Sequence, residues 1–298
     1  MTKLNRSRQQ ALRQIQEHIN WVRRRRGVLF EQASTIDVYY HPRQTAASHN
    51  YVTPRRGAAW VPGRDVRVAL DRLAELDRLP RLAVVKGLFP EAFHAQLKNL
   101  GLVVENDYPL LTFGPIPGCE QEVLGDYPPV PSMPPYLSVY GVADQNAVAT
   151  WLRLGSEDGV LDSHEIKLLW ENVVRGQEMY FLVSDDFTIA GGAGTIISPP
   201  AAEIICVDTF PLHRRRGVAS AAIRTSVQYA QARGCSLVFL IAASDSAAHL
   251  CRRLGFVDLD RLVTYCRSEE AVAVSDAPAT EQKGETGHVV AQSVPSRR

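Results

Sequence analysis

The spacing of apolar and polar residues predicts alternating helices and strands along the chain. Apolar residues at helical spacing predict helices over 5–26, 65–79, 90–100, 145–154 and 164–175, with two more after Gly217 and after Ser244. Apolar or alternating runs predict strands over 28–40, 81–85, 102–105, 108–113, 137–142, 179–183, 188–197, 203–209, 237–241 and 262–266. This order predicts an α/β (α+β) fold in which helices flank a mixed central β-sheet.

Breaks in this pattern divide the chain into five segments. They are a basic helix at 1–27, a first domain at 28–114, a proline-rich linker at 115–135, a second domain at 136–267 and a tail at 268–298. The prolines of the linker indicate a stiff connector, and the alternative is a motif for a proline-recognising module. The tail lacks periodicity and is rich in polar and small residues, so it is expected to be disordered.

Composition excludes several classes of protein. The net charge of +1 gives no general attraction to nucleic acid or membranes. No apolar run is long enough for a bilayer span, and no secretory signal is visible, so a cytoplasmic protein is expected. The five cysteines form no CxxC pair, which favours reduced thiols over disulfides or a metal site. The oligomeric state stays open.

The densest chemical signal is the basic turn that follows strand 203–209. Residues 213–220 read His-Arg-Arg-Arg-Gly-Val-Ala-Ser and lead into a long amphipathic helix. The free N–H groups and positive dipole end of a helix start bind anions, and arginines add charged donors. Gly217 would let a ligand approach the backbone. The alternative is an ordinary helix start beside a solvated arginine run.

Three features together resemble the GCN5-related N-acetyltransferase (GNAT) superfamily. They are the spacing of Pro211, Arg214, Gly217 and Ala219, the following strand 237–241, and a later helix that ends in Leu-Gly-Phe at 254–256. The resemblance is specific over 176–267 and weaker over 136–175. It implies the GNAT fold, acetyl-CoA as co-substrate and transfer of an acetyl group to a primary amine, with no metal.

The resemblance also implies which residues hold acetyl-CoA. The diphosphate would lie on Arg214, Arg215, Arg216, Gly217, Val218, Ala219 and Ser220. The pantetheine arm would pair with Val207, Asp208 and Thr209, where a backbone N–H would polarise the thioester carbonyl. Ser244 stands where the family often has an asparagine that binds the same arm.

Two residues are candidates for proton transfer. Glu203 lies eleven residues before Arg214, the spacing of the general-base glutamate in the histone-acetyltransferase branch. Strand alternation is expected to place Glu203, Val207 and Thr209 on one face, and the alternative is a solvated glutamate at a strand start. Cys251 replaces the tyrosine that protonates the CoA thiolate in many members. It is either an acid or a small apolar residue of the helix.

The first domain resembles a second, degenerate copy of the same unit. Residues 95–103 align with 249–257 through a shared Leu-Gly pair, although a generic helix end followed by a strand would look alike. Its counterpart of the basic turn, at 54–59, has Pro54 in place of Arg214 and Pro62 where a helix should continue. The first domain is therefore expected to bind no CoA and to act as a structural partner.

These observations predict an acetyl-CoA-dependent N-acetyltransferase whose acceptor amine the sequence does not specify. One alternative is a CoA-binding scaffold or regulatory protein without turnover. Another is a nucleic-acid-associated regulator that uses Arg23–Arg26, a run that also suits a solvated helix end.

Overall fold

The computed structural model describes residues 3–55, 57–58, 60–114, 116, 133–154 and 162–267. The helices are α1 Lys3–Arg25, α2 Gly63–Glu75, α3 Glu91–Asn99, α4 Gln145–Leu154, α5 Ser163–Val174, α6 Val218–Ala232 and α7 Asp245–Arg253. The strands are β1 Leu29–Ala33, β2 Ile36–Tyr40, β3 Tyr51–Pro54, β4 Arg81–Val85, β5 Leu102–Phe113, β6 Leu137–Gly141, β7 Glu178–Asp185, β8 Thr188–Ser198, β9 Ala201–Thr209, β10 Leu237–Ile241 and β11 Phe256–Arg267. Most of the proposed linker and all of the proposed tail lie outside the described residues.

Two compact units divide the chain, and neither is one continuous segment. Among described residues, one unit contains 3–18 and 109–259, and the other contains 19–108 and 260–267. Strands β5 and β11 each begin in one unit and end in the other. The predicted domain boundaries do not include this exchange, because it joins residues far apart in the sequence.

The unit that contains residues 109–259 is built on a mixed sheet. Its strand order is the end of β5, then β10, β9, β8, β7 and β6. Strands β9 and β10 run parallel and the other paired neighbours antiparallel. Helices α6 and α7 bury small and branched side chains against one face of this sheet, including Val218, Ile223, Val227 and Cys251. The fold is thus the predicted mixed sheet flanked by helices.

The other unit also contains strands that pair both parallel and antiparallel. Strands β1, β2 and β3 pair antiparallel, β3 and β4 pair parallel, and Leu262–Cys266 of β11 pairs antiparallel with β4. Apolar side chains of α2 and α3, such as Leu73 and Phe93, fill its core. The predicted single strand over 28–40 is a hairpin, since the chain turns at Ser34 with a positive φ of 53°. Strand β3 was not predicted.

Candidate functional site

The predicted basic turn opens helix α6. After β9 the chain passes Phe210 and a short 3-10 turn at Pro211–His213 before reaching residues 214–217. Gly217 adopts a left-handed conformation, with φ of 88°, immediately before the helix. The first turn of α6, described throughout, carries no acidic side chain. Its free N–H groups and positive dipole end therefore meet no carboxylate of their own helix.

A buried carboxylate that the sequence did not single out fixes this turn. Asp185, at the end of β7, is 2% exposed. Its Oδ2 atom lies 2.7 Å from Nδ1 of His213 and 2.9 Å from Nε of Arg216. One side chain thus anchors the turn at two points. Local patterns could not reveal this contact, because Asp185 lies in the preceding hairpin.

Arg216 is occupied within the protein. In addition to its ion pair with Asp185, the Arg216 guanidinium lies 5.2 Å from the ring centroid of Tyr136. The hydroxyl of Tyr136 donates to the backbone oxygen of Arg216. Arg215 is exposed and has a positive φ of 62°, whereas Arg214 is partly buried. The three arginines, grouped together by the sequence, therefore occupy different environments.

The edge of β9 opens just before this turn. Its parallel pairing with β10 ends at Glu203 opposite Phe239, whereas β9 continues to Thr209. The described register between these two strands covers 201–203 of β9 and does not extend to residues 204–209. Where a strand extends past its neighbour, an extended ligand can be added to the sheet edge as another strand would be. The N–H of Thr209, at the end of this stretch, donates to Oδ1 of Asp208 at 2.7 Å.

A bulge in β9 corrects one prediction from the sequence. Between Gly192 and Gly194 of β8 the register shifts, and Cys206 has a positive φ of 47°. The additional residue reverses the alternation, so Val207 packs in the core with Ile204 instead of sharing the face of Glu203. Strict alternation does not hold through a bulge.

Three glycines of β8 allow unusually close packing of β8 against β9 and β7. A Cβ atom on Gly191 would lie 2.3 Å from the backbone oxygen of Asp208, and one on Gly192 would lie 2.4 Å from that of Phe181. A Cβ on Gly194 would meet side chains of Ile205 and Tyr180. Glycine inside a strand is typical of a bulge or of a close backbone approach, and both occur here.

Glu203, the candidate base, lies beside the point where β9 and β10 separate. It is 6% exposed, so the alternative of a solvated strand end is wrong. Its Oε2 atom lies 3.7 Å from Nε2 of His18, a residue of helix α1. Glu203 pairs across the sheet with Ile196 and Phe239, and their side chains share its face.

Cys251 and Ser244, the two other predicted residues near α7, both contribute to the packing or the capping of this helix. Cys251 is fully buried among the side chains that α6 and α7 pack on the sheet. This burial raises the pKa of its thiol to about 12, although the Arg252 charge partly opposes the shift. Ser244 caps α7, since its Oγ accepts from the N–H of Ala247 at 3.2 Å.

The face of Glu203 holds a second buried carboxylate. Glu178 is 3% exposed and accepts hydrogen bonds from the hydroxyl of Tyr180 and from Nδ2 of Asn172. Trp151 of α4 packs on the Tyr180 ring with centroids 4.1 Å apart. Glu178 and Glu203 are both opposite Ile196, so they lie on one face. Helices α4 and α5 thus adjoin a polar part of the sheet.

The corresponding helix start in the other unit carries a negative charge. Residues 55–62 separate β3 from α2, as 210–217 separate β9 from α6. Pro62 precedes the helix, and Asp65 lies in its first turn. The Thr35 hydroxyl donates to Asp65 at 2.8 Å, and this bond and one from Ser34 hold the pKa of that carboxyl below its usual value. An ionised carboxylate here repels phosphate.

Neither a metal cluster nor a membrane span occurs among the described residues. In the ranges given above, no group of three or more His, Cys, Asp or Glu side chains could hold a metal ion. No described helix is long and apolar enough to cross a membrane.

Comparisons with known proteins agree with this geometry. Residues 146–256 match the family model described as "Acetyltransferase (GNAT) family". A GCN5-related N-acetyltransferase from Kribbella flavida shares the fold at 18% identity and a TM-score of 0.64, covering 88% of this chain and 95% of its own. A GCN5-related N-acetyltransferase from Sphaerobacter thermophilus shares the fold at 15% identity and a TM-score of 0.55, and the alignment covers 78% of this chain and 76% of that one.

A third solved structure is of unknown function. It is a conserved protein from Staphylococcus epidermidis ATCC 12228, with 13% identity and a TM-score of 0.52, and the alignment covers 80% of this chain and 92% of that one. The search of curated proteins found no match to this sequence. At these identities the solved structures establish the fold alone.

Proposed function

Because residues 146–256 form a domain of the acetyltransferase (GNAT) family, we propose that this acyltransferase moves an acetyl group from acetyl-CoA to a primary amine. The observation that carries the proposal is the opened edge of β9, which leads directly into the turn at Gly217 and the start of α6. An extended amide chain that ends in a diphosphate fits these two features together.

In this proposal the cofactor lies along β9 and over the start of α6. The diphosphate accepts hydrogen bonds from the N–H groups of residues 218–220, with Arg214 and Arg215 as nearby cations. The pantetheine amides lie against the edge of β9 at residues 207–209, beyond its register with β10. Arg216 has the different role of tying the turn to Asp185.

The reaction is a direct transfer within a ternary complex. The neutral amine attacks the thioester carbonyl, forming a C–N bond, while a backbone N–H of β9 stabilises the oxyanion. The C–S bond then breaks and the thiolate of CoA leaves. Glu203 accepts the proton lost by the amine. The buried Cys251 is a core residue in this scheme, so solvent protonates the thiolate.

The acceptor binds on the face of the sheet that adjoins α4 and α5. This face carries the carboxylates of Glu178 and Glu203, and carboxylates favour a cationic ligand. An amine that arrives as an ammonium ion is such a ligand. Positioning beside the thioester and loss of one proton would then account for most of the rate.

Substitution of Glu203→Gln tests the catalytic part of the proposal. It preserves the shape of the side chain but removes its basicity, so turnover should fall by about 10²–10⁴-fold. Affinity for CoA should stay unchanged, because the cofactor contacts lie elsewhere on β9. Thiol release with a panel of amines measures turnover, and isothermal titration calorimetry measures affinity. Equal turnover in both proteins would contradict the role of Glu203.

A CoA-binding scaffold without turnover is the second candidate. The burial of Cys251 favours it, since no acid replaces the tyrosine found in many family members at that position. This candidate predicts CoA binding without thiol release for any amine in the panel. The same two measurements on the wild-type protein therefore separate the two functions.

A further inference from the structure

Helix α1 brings a histidine to the candidate base from outside the family match. His18 lies before residues 146–256 in the sequence, on the apolar side of α1 that also carries Leu12 and Ile15. All three side chains are buried, and His18 is 2% exposed. A polar ring at such a position needs partners, because burial without them is costly.

Three contacts define where the His18 ring lies. Its Nδ1 atom is 2.5 Å from the hydroxyl oxygen of Ser198, and its Nε2 atom is 3.7 Å from Oε2 of Glu203. The ring also meets the edge of Phe239, with centroids 5.2 Å apart. Phe239 is the last residue of β10 opposite β9, so the ring lies where the two strands separate.

Stability alone does not explain this pair. A buried His–Glu pair loses hydration at both groups, and well-packed apolar residues often give equal or greater stability. The other buried positions of α1, such as Ile15, Ile19 and Val22, are apolar, and an apolar residue would also fit the helix pattern here. The polar pair is thus placed at the one carboxylate for which the proposed reaction needs a fixed orientation.

We propose that His18 is a positioning residue that holds the Glu203 carboxylate toward the acceptor amine. Ser198 fixes the ring through Nδ1, which leaves Nε2 at 3.7 Å from Oε2 of Glu203, an ion-pair distance that is longer than a hydrogen bond. The histidine itself touches neither acetyl-CoA nor the amine in this scheme. This inference rests on the proposed acetyl transfer and adds a residue outside the matched domain to its machinery.

Two amide substitutions separate the contacts of the ring. In His18→Asn the amide nitrogen occupies the place of Nδ1, so the Ser198 contact can remain while the Glu203 contact is lost. In His18→Gln the amide lies near the place of Nε2 and can still reach Glu203. The experiment measures kcat and KM for acetyl-CoA in both variants, in Glu203→Gln and in His18→Asn combined with Glu203→Gln. CoA affinity and urea unfolding serve as folding controls.

The expected order of the kcat values distinguishes a positioning role of His18 from a purely structural one. His18→Asn should lower kcat by about 10- to 100-fold at unchanged KM for acetyl-CoA, and His18→Gln should recover most of that loss. Adding His18→Asn to Glu203→Gln should cause little further loss, because the two residues act as one unit. A purely structural anchor through Ser198 predicts the reverse order, with His18→Gln the poorer enzyme.

The measurements distinguish a failure of the His18 inference from a failure of the proposed function. The inference is wrong, and the proposed function stands, if the wild-type protein turns over but kcat of His18→Asn equals or exceeds that of His18→Gln. The same holds if the kcat losses of His18→Asn and Glu203→Gln add fully in the double variant. If the wild-type protein releases no thiol with any amine, the proposed function fails and the inference with it. Should His18→Asn not fold, Ser198→Ala replaces it: the released ring should lower kcat at unchanged KM, and an unchanged kcat overturns the inference.

Discussion

At the scale of single residues, burial gives Glu203 and Cys251 different chemistry. Glu203 is buried beside a histidine, at the point where two strands separate. Cys251 is buried among aliphatic side chains between helices and sheet. A carboxylate with polar neighbours can exchange a proton with a bound amine. A thiol with a pKa of about 12 stays protonated throughout the neutral range.

Cys251→Ala should therefore leave kcat close to the wild-type value and change the pH dependence of stability. The unfolded thiol titrates near 9.0 and the folded one near about 12, so the unfolded state loses its proton first as pH rises. Between pH 8 and pH 10 the wild-type protein should lose about 1.4 kcal/mol more unfolding free energy than Cys251→Ala. Urea unfolding in reducing buffer measures this. A large loss of kcat, or parallel pH curves, would contradict it.

At the scale of elements, the site depends on departures from regular strand geometry. The bulge at Cys206 turns Val207 into the core, and the glycines of β8 let β9 approach closely. Apolar runs and periodicity were sufficient to predict β10, α4 and most other elements, since β10 is a continuous buried run and α4 buries one regular face. They could not predict the bulge, the contact of Asp185 with the turn, or His18 beside Glu203. Those depend on residues that only tertiary packing brings together.

Gly191→Ala tests the close approach of β8 to β9. The added Cβ would lie 2.3 Å from the Asp208 backbone oxygen, so β8 or β9 must shift. We expect a loss of about 1–3 kcal/mol in unfolding free energy and weaker CoA binding. Gly63→Ala is the matched control, because its Cβ would meet only ordinary contacts at 3.4 Å. Urea unfolding and calorimetry measure both variants, and equal behaviour would refute the packing argument.

At the scale of the whole molecule, the two units repeat one order of elements. The series β3, α2, β4, α3, β5 corresponds to β9, α6, β10, α7, β11, and the first two strands in each series pair in parallel. The ends of β5 and β11 each pair with the middle strand of the other series. We propose that the chain is an internal duplication whose first copy binds no CoA. The sequence suggested the repeat through a Leu-Gly pair, but not the exchange of strands.

The start of the long helix distinguishes the two copies. Asp65 is the third residue of α2, and Ser220 is the third residue of α6. Ser220→Asp therefore gives α6 the negative charge that α2 already carries. A carboxylate at this end suits the helix dipole, so the fold should keep its stability while a phosphate is repelled.

Calorimetric titration of CoA into the wild-type protein, Ser220→Asp and Ser220→Asn tests whether the diphosphate binds at the start of α6. We expect one CoA bound per wild-type chain and near wild-type affinity for Ser220→Asn. Ser220→Asp should bind CoA at least about tenfold more weakly, or ~1.4 kcal/mol, with unchanged unfolding by urea. Two CoA molecules per chain, or a folded Ser220→Asp protein that binds CoA as tightly as the wild type, would contradict these expectations.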